Sequence, residues 1–358
     1  MRTARFGEAS AAVGSDRTAT YNRARTSRDR VVKAEWAAYL ADPIDGSEIR
    51  IERVTEQSGD RVLAGTLVSE SGRRYPIRAG IPVFVEEGMQ TPASVASFAY
   101  EWNEFGFLYA KDGWVNDLVT PLVGGLEFFR DKVVVDAGAG SGAQSRWIAE
   151  AGARLVLSLE LSETIFDRHK RTIAGYEDVV FPIRCDIAFP PLKVQPDVVY
   201  CMNVIQHTKS PAETFARLAR LMGGQTRFLF NMYTASEKSD RIRFIQAVRK
   251  VTRQLPFGLV KWLSLLVALI ATPIAKLPIL DYRVRLFVPI SHSLRETWLD
   301  VYDQYGGHYY QEYMSRQDQQ RMFAQHGLRV VNEAQFGVVL ARDGPGPTST
   351  SRPKSGAS

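Results

Sequence analysis

Two cysteines, Cys185 and Cys201, are all that a chain of 358 residues contains. That scarcity excludes a disulfide framework and a cysteine-built metal cluster, and makes a reducing, cytoplasmic setting the default expectation. Long apolar runs are scarce too. The stretch from Trp262 to Ala275 between Lys261 and Lys276 is free of charge, but its fourteen residues fall short of the ~20 that cross a bilayer, and Pro273 is a helix breaker. It does not read as transmembrane. A secretory hydrophobic region and a fixed-period internal repeat are likewise missing. What is present is ordinary: 45% hydrophobic and 23% charged residues exclude collagen-like, coiled-coil and wholly disordered chains, and the length suggests about two domains.

The net charge of +6 would point to nucleic acid if it were spread over a folded surface. It is not. Residues 1–30 hold seven arginines (Arg2, Arg5, Arg17, Arg23, Arg25, Arg28, Arg30) against Glu8, Asp16 and Asp29, while 343–358 hold Arg352 and Lys354 against Asp343. The body between these tails carries only +1, and within it residues 238–285 carry ten basic residues against Asp240 and Asp281, a net +8, leaving −7 for the rest. A basic, partly apolar insert on an acidic body argues against general nucleic-acid binding and for a substrate-side or membrane-surface role.

Composition divides the chain further. Residues 1–35 lack apolar periodicity and read as a disordered tail, as do the Gly, Pro, Ser and Thr of 343–358. Residues 36–90 read as a small β-rich domain: Ile49 to Val54 alternates at period two, Ser58-Gly59-Asp60 turns the chain, and Val62 to Val68 returns. From 133 to 232 apolar strands alternate with helices, predicting a doubly wound, mostly parallel sheet. Its strands are expected at 133–137, 155–160, 180–184, 197–202 and 226–232, with an antiparallel pair at 328–334 and 336–342 after an insert of about 237–327. The main domain thus covers 91–342.

The stretch from Gly72 through Tyr75-Pro76-Ile77 to Gly80-Ile81-Pro82 resembles the small zinc-ribbon-like domain of tRNA-methyltransferase activators, often fused ahead of bacterial methyltransferases. The expected Cys-Pro-x-Cys knuckle falls on Asp42-Pro43-Ile44-Asp45, and the second ligand pair falls near Val68 and Ser71. These positions lack the thiolates or imidazoles that tetrahedral zinc requires, so the unit is expected to be metal-free and structural.

The strongest chemical signal is Val133-Val134-Val135-Asp136-Ala137-Gly138-Ala139-Gly140-Ser141-Gly142, a buried strand entering a glycine loop and then a helix from Ala143. Such glycines permit close backbone approach to a ligand, and the helix start offers free amides. Gly138-x-Gly140-x-x-Ala143 also fits a dinucleotide fingerprint. The acids separate the two: Asp136 before the loop, Glu160 ending the second strand and Asp186 in Ile183-Arg184-Cys185-Asp186-Ile187 ending the third. With Pro196 through Asn203 to His207 they resemble class I S-adenosylmethionine-dependent methyltransferases over Asp136–Met232 plus the last strands.

That resemblance implies a Rossmann-like α/β fold with seven strands, the last antiparallel, a β-rich N-terminal domain and a helical insert before the final strands. It implies S-adenosylmethionine as cofactor, with Gly138, Gly140 and Gly142 against the methionine part, Glu160 on the ribose, Asp186 and Ile187 around adenine, Asn203 beside the sulfonium, and Asp136, Ala139 and Leu161 as further cofactor contacts. Ser97 to Phe105 resembles a segment that covers this pocket in related enzymes, where Trp102 would face the sulfonium through cation–π attraction; the alternative is a helix packed on the sheet. A carboxylate ending a strand is also a common helix cap, and the two cysteines read as buried strand residues.

For a hydroxyl acceptor a base is needed, and His207 stands at the ligand-binding end of the sheet, with His292 and His308 as rivals and a structural role open for each; an amine acceptor needs none of them. The insert is expected to cap the substrate. Two readings stand for its apolar stretch, about 255–280: a buried cap helix, or an interfacial helix in a membrane surface with a basic rim suited to anionic lipid or a lipid-linked phosphate. Trp298, Tyr302, Tyr305, Tyr309, Tyr310 and Tyr313, with Asp300 and Asp303, are candidates for the acceptor wall or for cap packing. The expected function is methyl transfer to a small-molecule or lipid-linked acceptor; the alternatives are a catalytically silent methyltransferase-like partner, a tRNA methyltransferase and a nicotinamide-dependent enzyme. No oligomeric state is specified.

Overall fold

The computed structural model describes residues 32–85, 93–105, 111–234, 240–291, 293–306 and 312–343. The first strands form a five-stranded antiparallel sheet: β1 (Val32–Lys33), β2 (Ile49–Ser58), β3 (Arg61–Ser69), β4 (Arg74–Arg78) and β5 (Ile81–Pro82), with β3 pairing β1, β2 and β4. Its β2–β3 hairpin shifts register at Ile51/Arg53 and Val54/Glu56, which twists the long ribbon. The positions where zinc ligands would stand hold a polar cluster instead. Buried Asp42 accepts from Arg73 Nε at 2.8 Å and from Tyr75 OH at 3.0 Å, Asp45 pairs with the other end of Arg73, and Ser69 and Ser71 share a 2.9 Å hydrogen bond. Burial alone would raise the Asp42 carboxyl, but the bonds from Arg73, the Ile44 amide, Ser69 and Tyr75 hold it below its ordinary value.

After the helix α1 (Ala93–Phe105) and helical turns across 111–123, the main sheet begins. Its elements are β6 (Val133–Ala137), α2 (Ala143–Glu150), β7 (Leu155–Glu160), α3 (Phe166–Thr172), β8 (Val180–Arg184), β9 (Val198–Cys201), α4 (Pro211–Arg220) and β10 (Arg227–Phe230), closed by β11 (Leu328–Ala334) and β12 (Gly337–Arg342). The order is β11-β12-β10-β9-β6-β7-β8; β12 runs antiparallel to β10 and β11, and the pairings among β6 to β10 are parallel. Each of these strands lies within a residue or two of its expected place. All five residues of β6 are buried, as a strand covered on both faces demands. Val133, Val135 and Ala137 enter one apolar cluster and Val134 the other, the period-two division of a sheet with a core on either side.

The N-terminal sheet joins the first of these cores. Trp36 packs at 4.8 Å, tilted, on Phe181 of β8, and Leu40, Leu67, Ile77 and Phe84 belong to the same cluster. Val83 bridges Arg184 in parallel, with the Phe84 amide donating to the Arg184 carbonyl at 2.8 Å, so the open edge of β8 is covered, which removes a template for unwanted strand pairing.

The insert contributes α5 (Asp240–Thr252), α6 (Phe257–Ile274), α7 (Pro278–Phe287) and α8 (Leu294–Tyr305), followed by α9 (Arg316–Gln325). Here the expected fourteen-residue apolar segment is an 18-residue helix with mean hydropathy 1.9, long and apolar enough by length and composition to cross a membrane, yet only 22% buried. Pro273 does not break it, because it stands next to the last helical residue, where the missing amide removes a single bond of the final turn.

Because Trp36 ties the N-terminal sheet to the main core, Trp36→Ala should destabilise the whole chain by roughly 3 kcal/mol or more. Urea unfolding followed separately by far-UV circular dichroism and by fluorescence should show one shifted, coincident transition; an early loss of the N-terminal sheet alone would contradict this coupling.

Candidate functional site

The carboxyl ends of β6, β7, β8 and β9 face one side, where ligands bind in such sheets. The β6 strand runs into the glycine loop, whose amides of Gly138 and Ala139 both donate to the Leu159 carbonyl at 2.9 Å. Gly138 has φ +87°, and a Cβ there would come within 2.5 Å of the Val204 side chain. Gly142, the residue capping α2, has φ +80° and would press a Cβ to 2.9 Å from His169 Nε2. Neither position tolerates a side chain.

Glu160 binds the loop from β7: its carboxylate accepts from the Gly140 amide at 2.9 Å and from Ser162 at 2.8 Å. Burial raises its carboxyl above the ordinary value, while these amide bonds and Leu161 oppose the rise. Asp136 is only 2% exposed, and burial, with Glu160 adding to it against a hydrogen bond from Ser145, pushes it up to about 7. A buried chain extends from it. Ser145 Oγ donates to Asp136 at 2.5 Å and lies 2.7 Å from Ser158 Oγ, which lies 3.2 Å from His169 Nε2; His169 Nδ1 reaches the Gly140 carbonyl at 3.1 Å. Burial lowers His169 to about 4, so it is neutral at physiological pH.

These ends open into a cavity of about 740 Å³. Asp136, Gly138, Ala139, Gly140, Glu160, Leu161, Asp186, Ile187, Asn203, Trp102 and His207 all line it. Gly142, expected among the cofactor contacts, does not; it serves the packing of α2 against His169 instead. Trp102 of α1 stands over the loop, its indole Nε1 3.5 Å from where a Gly140 Cβ would be. Asn203 adopts φ +60° and exchanges two hydrogen bonds with Asn231, at 2.5 and 2.6 Å; a non-glycine residue held left-handed at a strand end is the kind of strain that marks sites. The His207 ring meets Phe98 edge-on at 4.7 Å and Tyr233 at 5.6 Å.

Among the described residues of the insert Asp303 alone lines the cavity, and the described cover is α1 together with Tyr233 and Phe336. Helix α1 stands between the cavity and α6, with Tyr100 on Phe257 at 5.5 Å, and also meets α8, with Phe105 on Trp298 at 5.0 Å. Tyr302 is fully buried in that interface, Tyr305 hydrogen-bonds the Phe287 carbonyl at 2.5 Å, and Tyr313 packs on Tyr233 at 5.7 Å. His292, His308, Tyr309 and Tyr310 lie outside the described residues. Cys185 and Cys201 are buried free thiols that burial pushes up, unsuited to nucleophilic work. Sequence reading missed Ser145, Ser158 and His169; the one available signal was Ser158, a polar residue amid the apolar Leu155-Val156-Leu157-Leu159 run.

A profile of the methyltransferase-domain family matches residues 114–333. No curated protein sequence matches the chain. Among solved structures, the magnesium protoporphyrin IX methyltransferase of Synechocystis PCC 6803 is similar in two forms: with bound SAH at 16% identity over 60% of this chain and 75% of that one (TM-score 0.35), and with bound SAM at 14% over 72% and 100% (TM-score 0.39). A methyltransferase structure from Bacillus halodurans C-125 is 14% identical over 56% of this chain and 64% of its own, with a TM-score of 0.36.

An unfolded histidine takes up its proton near pH 6.5, whereas buried His169 does so only near 4. Between those values the unfolded state binds more protons, so His169 costs stability as pH falls from 6.5 to 4, by up to roughly 3 kcal/mol. Asp136 acts oppositely, its share being lost as pH rises through about 7. In pH-dependent urea unfolding, His169→Gln should lose the acid-side slope; an unchanged slope would refute the neutral, buried assignment.

Proposed function

The chain belongs to the methyltransferase-domain family, and from that premise we propose that it transfers a methyl group from S-adenosylmethionine to a small-molecule or lipid-linked acceptor. The observation that carries this reading is the pair of carboxylates, buried Asp136 and half-buried Glu160, on either side of a glycine loop in a cavity of about 740 Å³. Both acids are raised by burial, so each favours a ligand that brings a cation or hydroxyl donors. The methionine ammonium and the ribose hydroxyls of the cofactor are such groups, and the residues fit it.

When bound, the cofactor supplies an electrophilic methyl group on a sulfonium. The chain's own part is placement. Gly138 and Gly140 let the backbone approach, Glu160 accepts from ribose hydroxyls, Asp186 and Ile187 lie at the adenine end, and Trp102 and Phe98 of α1 cover the pocket and exclude water. Alignment of donor and acceptor is the main catalytic term for such a displacement. On the acceptor side Phe98, Met202, Tyr233 and Phe336 offer apolar walls, and His207 takes the proton of a hydroxyl acceptor. The N-terminal sheet is a metal-free relative of the zinc-ribbon-like unit, a reading supported by the Asp42–Arg73–Asp45 cluster at the ligand positions.

Calorimetry with S-adenosylhomocysteine and with NADH separates the cofactor classes: binding of NADH alone would overturn the proposal. Below pH 7 binding of the ammonium group must displace a proton from Asp136, so affinity should fall about tenfold per pH unit there and level off above, and Asp136→Asn should flatten the profile. Incubation with labelled cofactor and cell-extract fractions should place label in small-molecule or lipid fractions. Label in RNA alone would favour the tRNA reading, and binding without any transfer would favour a silent partner. His207→Ala should lower kcat by roughly 10²-fold or more while leaving S-adenosylhomocysteine affinity unchanged.

A further inference from the structure

We infer that α6 and α7 form a docking surface for an anionic lipid bilayer, on which the protein lies peripherally. The inference stands apart from the reaction assigned above, because neither helix lines the cavity.

Helix α6 has no polar face. Its buried residues Val260, Ser264, Ala268 and Ala271 recur at i, i+4, i+8 and i+11 and make one narrow stripe of mostly small side chains, the side on which α6 meets α8. The opposite side carries Leu259, Trp262, Leu263, Leu266, Leu269 and Ile270, all between 43% and 64% exposed. Helix α7 extends the surface with Ile279 at 89%, Tyr282 at 76% and Leu286 at 39%, which share a face at i, i+3 and i+7. A helix apolar all round is normally interior or in lipid, and a continuous exposed patch of this kind marks an interaction site. Over 18 residues the α6 axis is about 27 Å long, enough to lie along an interface with Trp262 and Tyr282 as amphipathic anchors.

Charge selects the occupant. From Asp240 to Arg285 the described residues hold Arg241, Arg243, Arg249, Lys250, Arg253, Lys261, Lys276, Arg283 and Arg285 against two acids, Asp240 and Asp281, and of the bases all but Arg249 and Lys261 are exposed. Basic residues flanking an apolar helix match negative headgroups. A second copy of the same surface would bring two basic rims together, and the arginine-rich residues 1–30 share that sign, so neither is as good a cover. A spanning arrangement is excluded by the contacts that hold α6 down: Lys261 Nζ on Glu104 at 2.5 Å, and its carbonyl accepting from Trp298 Nε1 at 2.8 Å. Crossing a bilayer would drag α8, with Arg295, Glu296 and Asp300, into hydrocarbon.

The test is flotation of the full chain with phosphatidylcholine vesicles and with vesicles of phosphatidylcholine mixed with phosphatidylglycerol. We expect flotation with the mixed vesicles, weakened severalfold at high salt or by Lys276→Glu with Arg283→Glu. The combined variant Trp262→Glu, Leu266→Glu, Ile270→Glu should reduce it at least ~10-fold; these side chains are exposed, so an unchanged thermal midpoint serves as the control for folding. Absence from both floated fractions, equal flotation of the triple variant, or equal flotation on phosphatidylcholine alone would overturn the inference. So would a concentration-dependent dimer that the triple variant makes monomeric without any vesicle binding.

Discussion

The hydrogen bond from the Gly140 amide to the Glu160 carboxylate adds a side-chain tie to the two amides, of Gly138 and Ala139, that already donate to the Leu159 carbonyl of β7. With it the loop after β6 is held from β7, and the Asp136–Ser145–Ser158–His169 chain, ending on the Gly140 carbonyl, holds it from α2 and α3. Both the amide and the carbonyl of Gly140 are thereby engaged by side chains. A satisfied buried network rigidifies what it touches, so the cavity floor is formed before any ligand arrives. The arrangement has a chemical consequence: two acids in one wall are each pushed toward protonation by their surroundings.

Around this floor the other elements act as walls and edges. The N-terminal sheet seals β8, contributing Trp36 and Phe84 to the core cluster of Phe181 and Ile183. Arg73 sits between Asp42 and Asp45 there, tying the turn at 42–45 to the start of β4 with directional bonds. On the far side Tyr200 accepts from Trp114 Nε1 at 2.9 Å inside the second cluster, carrying a polar group of β9 into a dry interior with its partner supplied.

Strands β6 to β10 were legible because each is a short apolar run, and because tertiary burial on both faces leaves no competing pattern. At the margin Asp197 was read as strand, yet its carboxylate accepts from the Val133 amide at 2.8 Å and fixes where β6 begins. The glycine loop and three strand-end acids were legible because their chemistry is local in sequence. What stayed hidden was long-range: nothing near His169 announces a partner 29 residues away on Gly140, and nothing in the run from Trp262 to Ala275 says that only one stripe of it would find a protein surface. That α6 stands off the cavity was hidden for the same reason, since α1 intervenes and belongs to a different part of the chain.

Helix α1 has two loaded faces. Trp102 leans on the glycine loop, while Tyr100, Glu104 and Phe105 bear on Phe257, Lys261 and Trp298 of the insert. Close-packed side chains compress little, so α1 acts as a strut: a push on the outer helices has no soft layer in which to dissipate before it reaches the indole above Gly140. The protein's exposed apolar surface and its innermost backbone turn are thus ends of one mechanical linkage only a single helix thick.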